Sequence, residues 1–233
     1  MNAPLLELRS IHKTYQLGTQ EIPALTDVTL IVTAGEMVTI EAPSGSGKTS
    51  LLNIVGALDR PTSGEVLFQG RPVQRLRDKE QALFRRRSIG FVFQAFNLIP
   101  TLSAWENVAV PRLLDGGSYA QARTDAVALL ERVGLAARVA HRPAELSGGQ
   151  IQRVAVARAL SMDPPLVIAD EPTGNLDSHS GRDVVALLRE IATDPGRAVI
   201  MATHDPRAAQ AATRRISLLD GQIQQDEVAE TRP

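Results

Sequence analysis

Residues 42–49, Ala42-Pro43-Ser44-Gly45-Ser46-Gly47-Lys48-Thr49, put two glycines, a lysine and a hydroxyl into one short run. Met37 to Ile40 before it reads as a β-branched strand, and Ser50 to Ala57 after it is apolar and helix-compatible. A strand, a small-residue loop ending in Gly-Lys-Thr and a helix is the arrangement that cradles a polyphosphate. Gly45 and Gly47 let the backbone curl and aim several N–H groups inward. The helix start adds its positive end and its unpaired donors. Lys48 has the reach for β- and γ-phosphates, and the Thr49 hydroxyl suits Mg²⁺. The pattern G-x-x-x-x-G-K-[ST] departs at one place, where Ala42 stands for glycine. A positive φ at that position would make the Cβ cost about 1–2 kcal/mol, and a negative φ would remove the cost.

Other reactive residues follow apolar runs. Leu166 to Ala169 ends in Asp170-Glu171. Acids at the carboxyl end of a buried parallel strand sit where open α/β sheets bind ligands, with Asp170 suited to Mg²⁺ and Glu171 to a water. Ser147-Gly148-Gly149-Gln150 has capping-box spacing ahead of a run from Ile151 to Leu160 that lacks glycine and proline. It reads either as a helix start and no more, or as one whose two glycines bare the backbone donors to an outside phosphate. Gln94 after Ile89 to Phe93, and His204 after Ala198 to Ala202, carry little meaning alone. Tyr15 fits either a half-buried sheet edge or a platform for a planar base.

A chain of 233 residues suffices for one large α/β domain or two small ones. Apolar residues at 43% and charged residues at 22% are those of a globular protein, and 3% aromatics demand an aliphatic core. Lys and Arg (25) balance Asp and Glu (26), so no basic field calls for nucleic acid. The absence of cysteine excludes disulfides and thiolate metal sites. No leader segment and no apolar run of the roughly 18 residues needed for a membrane span is expected.

The elements that must position these groups alternate between strand and helix. Strands are expected at Leu5 to Ile11, with a loop around Gly18, at Leu25 to Thr33, and at Glu65 to Gln69. Asp78 to Arg87 reads as a helix whose Arg85-Arg86-Arg87 end is solvated. Ser103 and Glu106 open another helix, and Ala122, Ala126, Leu129, Leu130 and Val133 mark a further one, stopped by Gly134. Val184, Leu187, Leu188 and Ile191 give an amphipathic helix. A hairpin turns at Asp220-Gly221, and the tail after Asp226 is polar. Residues 95–162 read as a helical insertion between the core segments 1–94 and 163–225, with 226–233 as the tail.

With its motifs in this order, the chain resembles the ATP-binding subunit of an ABC transporter from about Leu5 to Gln225. Tyr15 matches the adenine-stacking position. Ala42, Pro43, Ser44, Gly45, Ser46, Gly47, Lys48, Thr49 and Ser50 cover the Walker A loop and its helix start. Gln94 matches the Q-loop, and Leu146 to Gln150 the LSGGQ signature. Leu166 to Glu171 matches Walker B, Gly174 to Asp177 the D-loop, and His204 the switch histidine. The resemblance implies an α/β fold: a P-loop NTPase (RecA-like) core with an antiparallel β subdomain and an inserted α-helical subdomain. It implies ATP and Mg²⁺, the ion held through Thr49, Gln94 and Asp170. Lys48, Gln94, Glu171 and His204 would be the catalytic groups. It further implies a head-to-tail homodimer in which Ser147, Gly148, Gly149 and Gln150 face the partner's phosphate and Asp177 links the two sites.

Within that family, Ala57 to Gly64 and Asn97 to Val108 resemble the lipoprotein-release, macrolide-export and cell-division group. The expected partner is a membrane permease whose cytoplasmic helix enters a groove near Phe96, Leu98, Ile99 and Trp105. The expected place is the cytoplasmic face of the membrane. The alternative is an ATP-driven regulatory subunit that moves no cargo.

Overall fold

The computed structural model describes residues 3–229. The chain opens with two long strands, β1 (Pro4–Leu17) and β2 (Gln20–Thr33), then β3 (Met37–Glu41) and α1 (Lys48–Val55). Next come β4 (Ser63–Phe68), β5 (Arg71–Pro72), α2 (Asp78–Ser88) and β6 (Ile89–Phe93). Three helices follow in succession, α3 (Ala104–Leu114), α4 (Tyr119–Arg132) and α5 (Gly148–Leu160). The chain then runs through β7 (Leu166–Asp170), α6 (Ser178–Ala192), β8 (Ala198–Thr203) and α7 (Pro206–Ala209) to the hairpin of β9 (Arg214–Leu219) and β10 (Gln222–Val228).

Two sheets result. A six-stranded sheet has the order β10-β9-β3-β8-β7-β6, and a four-stranded one β2-β1-β4-β5. In the large sheet β6, β7, β8, β3 and β9 run parallel, and only β10 is antiparallel. Parallel strands carry their carboxyl ends to one edge, so the ends of β3, β6, β7 and β8 converge. Phe93 pairs with Asp170, Asp170 with Ala202, and Glu41 with Thr203.

Strands buried on both faces read as unbroken apolar runs, and β8 (AVIMAT) is buried throughout. Its alternate residues serve two cores. Ala198, Ile200 and Ala202 join α1 and the small sheet, whereas Val199 and Met201 join α6 and part of α5. A third cluster lies within the helical insertion, where Val108, Ala126, Leu130, Val154 and Ala157 meet. The helix α5 contributes to the second and third clusters alike, so it is the strut between the sheet and the insertion.

Four expectations change. The loop foreseen around Gly18 is a tight hairpin, because Tyr15 pairs with Ile22 and Leu17 with Gln20. Asp226, Glu227 and Val228, placed in a polar tail, pair with β9, and Arg214 grips Asp226 through two contacts of 2.6 Å. Residues 230–233 of that tail lie outside the described residues. The basic end of α2 is partnered as well as exposed: Arg85 donates to the Ala57 carbonyl, and Arg86 and the exposed Arg87 both reach Asp115, the residue that ends α3. Trp105 is held within the insertion, edge-on to Tyr119 at 5.4 Å with the Arg123 guanidinium over its ring.

Ile200 is fully buried at the centre of the large sheet. Ile200→Ala should lower stability by about 2–5 kcal/mol. In thermal unfolding followed by circular dichroism, the midpoint should fall about 2–4 °C for each kcal/mol lost.

Candidate active site

The loop after β3 is set by contacts that its own residues do not reveal. Ala42 is buried in the core and keeps a negative φ, so its methyl adds no backbone strain. Gly47 is the residue that cannot change. It has φ 91°, and a Cβ there would lie 2.2 Å from the Ala24 carbonyl oxygen. The turn between β9 and β10 supports the loop from below. Gly221 donates its N–H to the Ser46 carbonyl at 3.1 Å, and Thr26 donates to the Gly221 carbonyl at 2.9 Å. Gly47 heads α1 with no capping side chain, which leaves the first-turn N–H groups to a ligand.

The opposite wall comes from the ends of β6, β7 and β8. Gln94, Asp170, Glu171 and His204 share a cleft of about 590 Å³ with Ala42–Gly45 and Gly47–Ser50. That volume suits a ligand of nucleotide size. Glu171 is the most constrained of these groups. It is 9% exposed and has φ 47°, a left-handed backbone that costs a non-glycine residue about 1–2 kcal/mol. Its N–H donates to the Ala202 carbonyl at 2.9 Å, and its own carbonyl accepts from Gly174 at 3.1 Å.

The Glu171 carboxylate pairs with the Lys48 ammonium through one oxygen and with His204 Nδ1, at 2.9 Å, through the other. Burial is the largest influence and raises its pKa. The hydrogen bonds from Lys48 and His204, with the charge of both, outweigh burial and hold the group below the usual carboxylate range. Asp170 goes the other way. Burial pushes it up, Lys48 opposes that, and the negative Glu171 adds to it.

Not every expected residue reaches the cleft. Ser46 is buried beneath the loop. Tyr15 stands beside the cleft, with its hydroxyl 3.2 Å from Ser50 Oγ and 3.1 Å from Asp59, and the Lys13 ammonium over its ring. Ser147 caps α5 and closes a capping box with Gln150, which leaves the Gly148 and Gly149 N–H groups without an intrahelical partner; Gly149 is buried against Ser180, and none of these four residues lines the cleft. Asp177 caps α6 by accepting from His179 and Ser180. The Ser180 hydroxyl and N–H, then the His179 N–H, hold it down to about 2. It borders a separate groove of about 330 Å³ between α6 and α7.

Two participants escape a reading of the sequence. Ala24 lines the cleft and carries the carbonyl against Gly47 and Gly221, yet nothing in its type marks it. Asn175 bonds to Gln94 in both directions, its Nδ2 to the Gln94 carbonyl at 3.0 Å and its Oδ1 to Gln94 Nε2 at 3.4 Å. The D-loop spacing could have suggested that link.

A largely parallel sheet whose first inner strand feeds a glycine-lysine-threonine loop, with acids at the end of the strand two places along, defines a P-loop nucleotide-binding protein. The sequence model of the ABC transporter family matches residues 25–174, and the chain belongs to that family. It is 46% identical to the lipoprotein-releasing system ATP-binding protein LolD of a Shewanella species, over 96% of this chain and 97% of LolD. It is 51% identical to the pyoverdine export ATP-binding/permease protein PvdT of Pseudomonas aeruginosa. That match takes in 99% of this chain but 35% of PvdT, so the chain spans about a third of that relative's length. Among solved structures, the dimeric ATP-binding cassette MJ0796 bound to ADP and Pi is 42% identical, with a TM-score of 0.88 over 97% of this chain and 100% of that one.

The two small residues of the loop should respond in opposite ways. Ala42→Gly should leave ATP affinity within about twofold, because no strain is relieved. Gly47→Ala should abolish measurable binding, because the new methyl meets backbone. Isothermal titration with ATP checks both.

Proposed function

We propose that the chain is the ATP-binding and ATP-hydrolysing subunit of an ABC transporter and drives a separate membrane permease. The observation that carries this reading is the arrangement at Glu171, a buried carboxylate shared between the phosphate-loop lysine and His204.

The chemistry follows from those contacts. Phosphoryl transfer needs positioning and charge neutralisation more than covalent help. Phosphate oxygens entering the loop compete with Glu171 for Lys48, and the loop amides and α1 donors add to the attraction. Once Lys48 turns to phosphate, one Glu171 oxygen is free to accept the proton of the attacking water, while His204 still holds the other. His204, exposed at the cleft wall, then lies within reach of the γ-phosphate. Thr49, Gln94 and Asp170 offer a hydroxyl, a carboxamide and a carboxylate to one cleft. Among the described residues no group of three or more His, Cys, Asp or Glu forms a metal cage. An oxygen set this sparse suits Mg²⁺, which takes one or two carboxylates and completes its shell with water and substrate phosphate. Held by these residues, Mg²⁺ would supply charge neutralisation for the polyphosphate.

The bare donors at Gly148 and Gly149 belong to a second copy's nucleotide. They stay outside their own cleft, and a head-to-tail pair gives them a phosphate, with Asp177 near the other copy's site. Tyr15, beside Ser50, would stack on the adenine. The permease reading draws on a second cleft of about 390 Å³, bordered by Leu58, Phe91, Phe93, Asn97, Pro111 and Arg158. It opens beside the strand that delivers Gln94 and shares its apolar and basic character with Arg85 and Arg86. None of the four residues expected to line a permease groove borders this cleft: Leu98 and Trp105 pack on the insertion's core, and Phe96 and Ile99 lie outside its lining. Among the described residues no helix is long and apolar enough to cross a membrane. By its likeness to transporter subunits, the chain would sit on the cytoplasmic face through that permease.

Glu171→Gln should keep ATP affinity and lose turnover by at least about a hundredfold, the scale of a missing general base; a coupled phosphate-release assay reads this. Leu58 is a half-exposed apolar residue in the second cleft. Leu58→Asp should leave basal ATPase activity intact and abolish co-purification with the permease from membranes.

A further inference from the structure

Gln152 is fully buried and does not line the nucleotide cleft. It lies on the second turn of α5, the helix whose tip is Ser147-Gly148-Gly149. Its Nε2 donates to the Pro172 carbonyl at 2.8 Å and, more weakly, to the Phe93 carbonyl at 3.4 Å. Both partners only accept, so the amide nitrogen must face them and the orientation of the group is settled. Its Oε1 is then buried with no hydrogen-bond partner among the described residues.

The placement of those two carbonyls gives the side chain its meaning. Phe93 immediately precedes Gln94, and Pro172 immediately follows Glu171. Phe93 and Asp170 are paired across adjacent strands. One carboxamide thus ties the signature helix to the residue before the Q-loop glutamine and the residue after the buried glutamate. The tie to Pro172 acts where the chain is strained, because Glu171 has a positive φ and such conformations persist only when the surroundings over-determine them. An apolar side chain of the same volume would fill the space and remove the unpaired Oε1, but it would take away the donor to the Pro172 carbonyl, so the hydrogen bond and not packing accounts for a glutamine here.

We propose that Gln152 is a positioning residue for ATP hydrolysis: it locks Glu171 to the signature helix, so that the carboxylate is placed for water attack only while that helix is seated. The consequence reaches across the pair. The tip of α5 engages the partner's nucleotide, whereas Gln152 on the same helix holds its own chain's Glu171. Each site therefore senses occupancy of the other through one helix and one carboxamide. This inference rests on the ATPase function proposed above.

The test compares wild type with Gln152→Met, which keeps the volume and removes both donors and the unpaired acceptor. ATP-binding stoichiometry and affinity are measured on the full chain, and turnover is expressed per bound nucleotide, which corrects for any unfolded fraction. The expected result is binding within about twofold of wild type and turnover per bound ATP lower by roughly ten- to a hundredfold, the scale of a misplaced reacting group. Equal turnover per bound ATP in the two proteins overturns the proposal, including the case where binding and rate fall together because the variant folds poorly. Absence of turnover in wild type itself would overturn the function on which the proposal stands, and the two failures are told apart by that control.

Discussion

A carboxylate removed from water must find a partner, and at Glu171 that requirement organises the site. Lys48 supplies the charge and His204 the second hydrogen bond. Meeting at one carboxylate requires the ends of β3, β7 and β8 to lie side by side, and the parallel register of the large sheet brings them there. The same pairing sets the chemistry. On the function proposed above, a lysine could not neutralise Glu171 and a γ-phosphate at once, so nucleotide entry would redistribute charge within the cleft and leave the glutamate ready to accept a proton. The left-handed backbone at Glu171 is part of this device, because it is held from both sides by Ala202 and Gly174.

Much of this was legible in the residues themselves. Short apolar runs leading to Gln94, Asp170-Glu171 and His204 gave away the buried parallel strands, since such strands need apolar residues on both faces. Ser103-Glu106 and Ser147-Gln150 announced helix starts through local hydrogen bonding, and both capping boxes form. What stayed hidden depends on distant chain segments. Ala42 looked like a defect, and its negative φ depends on the tertiary path of the loop. Gly47 is irreplaceable because of Ala24, 23 positions earlier in the chain. The Asp220-Gly221 turn was readable as a hairpin but not as the support under Ser46. Arg85-Arg86-Arg87 looked solvated because Asp115 is remote in sequence. The hairpin of β1 and β2 outran its apolar core, as cross-strand bonding extends a ladder beyond the buried residues.

The helix α5 ties these parts together. Its tip carries bare donors, and its second turn holds the carbonyls beside Gln94 and Glu171. Further along, Arg158 holds the Phe96 and Asn97 carbonyls in the loop beside the second cleft. Phe96 and Asn97 both have positive φ, so this loop, like Glu171, is held in place by its neighbours. Burial lowers the pKa of the Arg158 guanidinium, and its carbonyl partners satisfy it without a carboxylate. On the proposed function, this one helix would link the surface offered to a membrane partner, the residues that act on phosphate, and a tip that reaches a second copy.

The central claim is that one copy holds half of each nucleotide site and a second copy, facing the other way, supplies the rest. Sedimentation velocity on the Glu171→Gln protein tests it most directly, since that variant should hold ATP without consuming it. A monomer that becomes a dimer with ATP, and remains a monomer with ADP, is the predicted result. A protein that binds ATP yet sediments as a monomer, alone and with its permease in detergent, would contradict it.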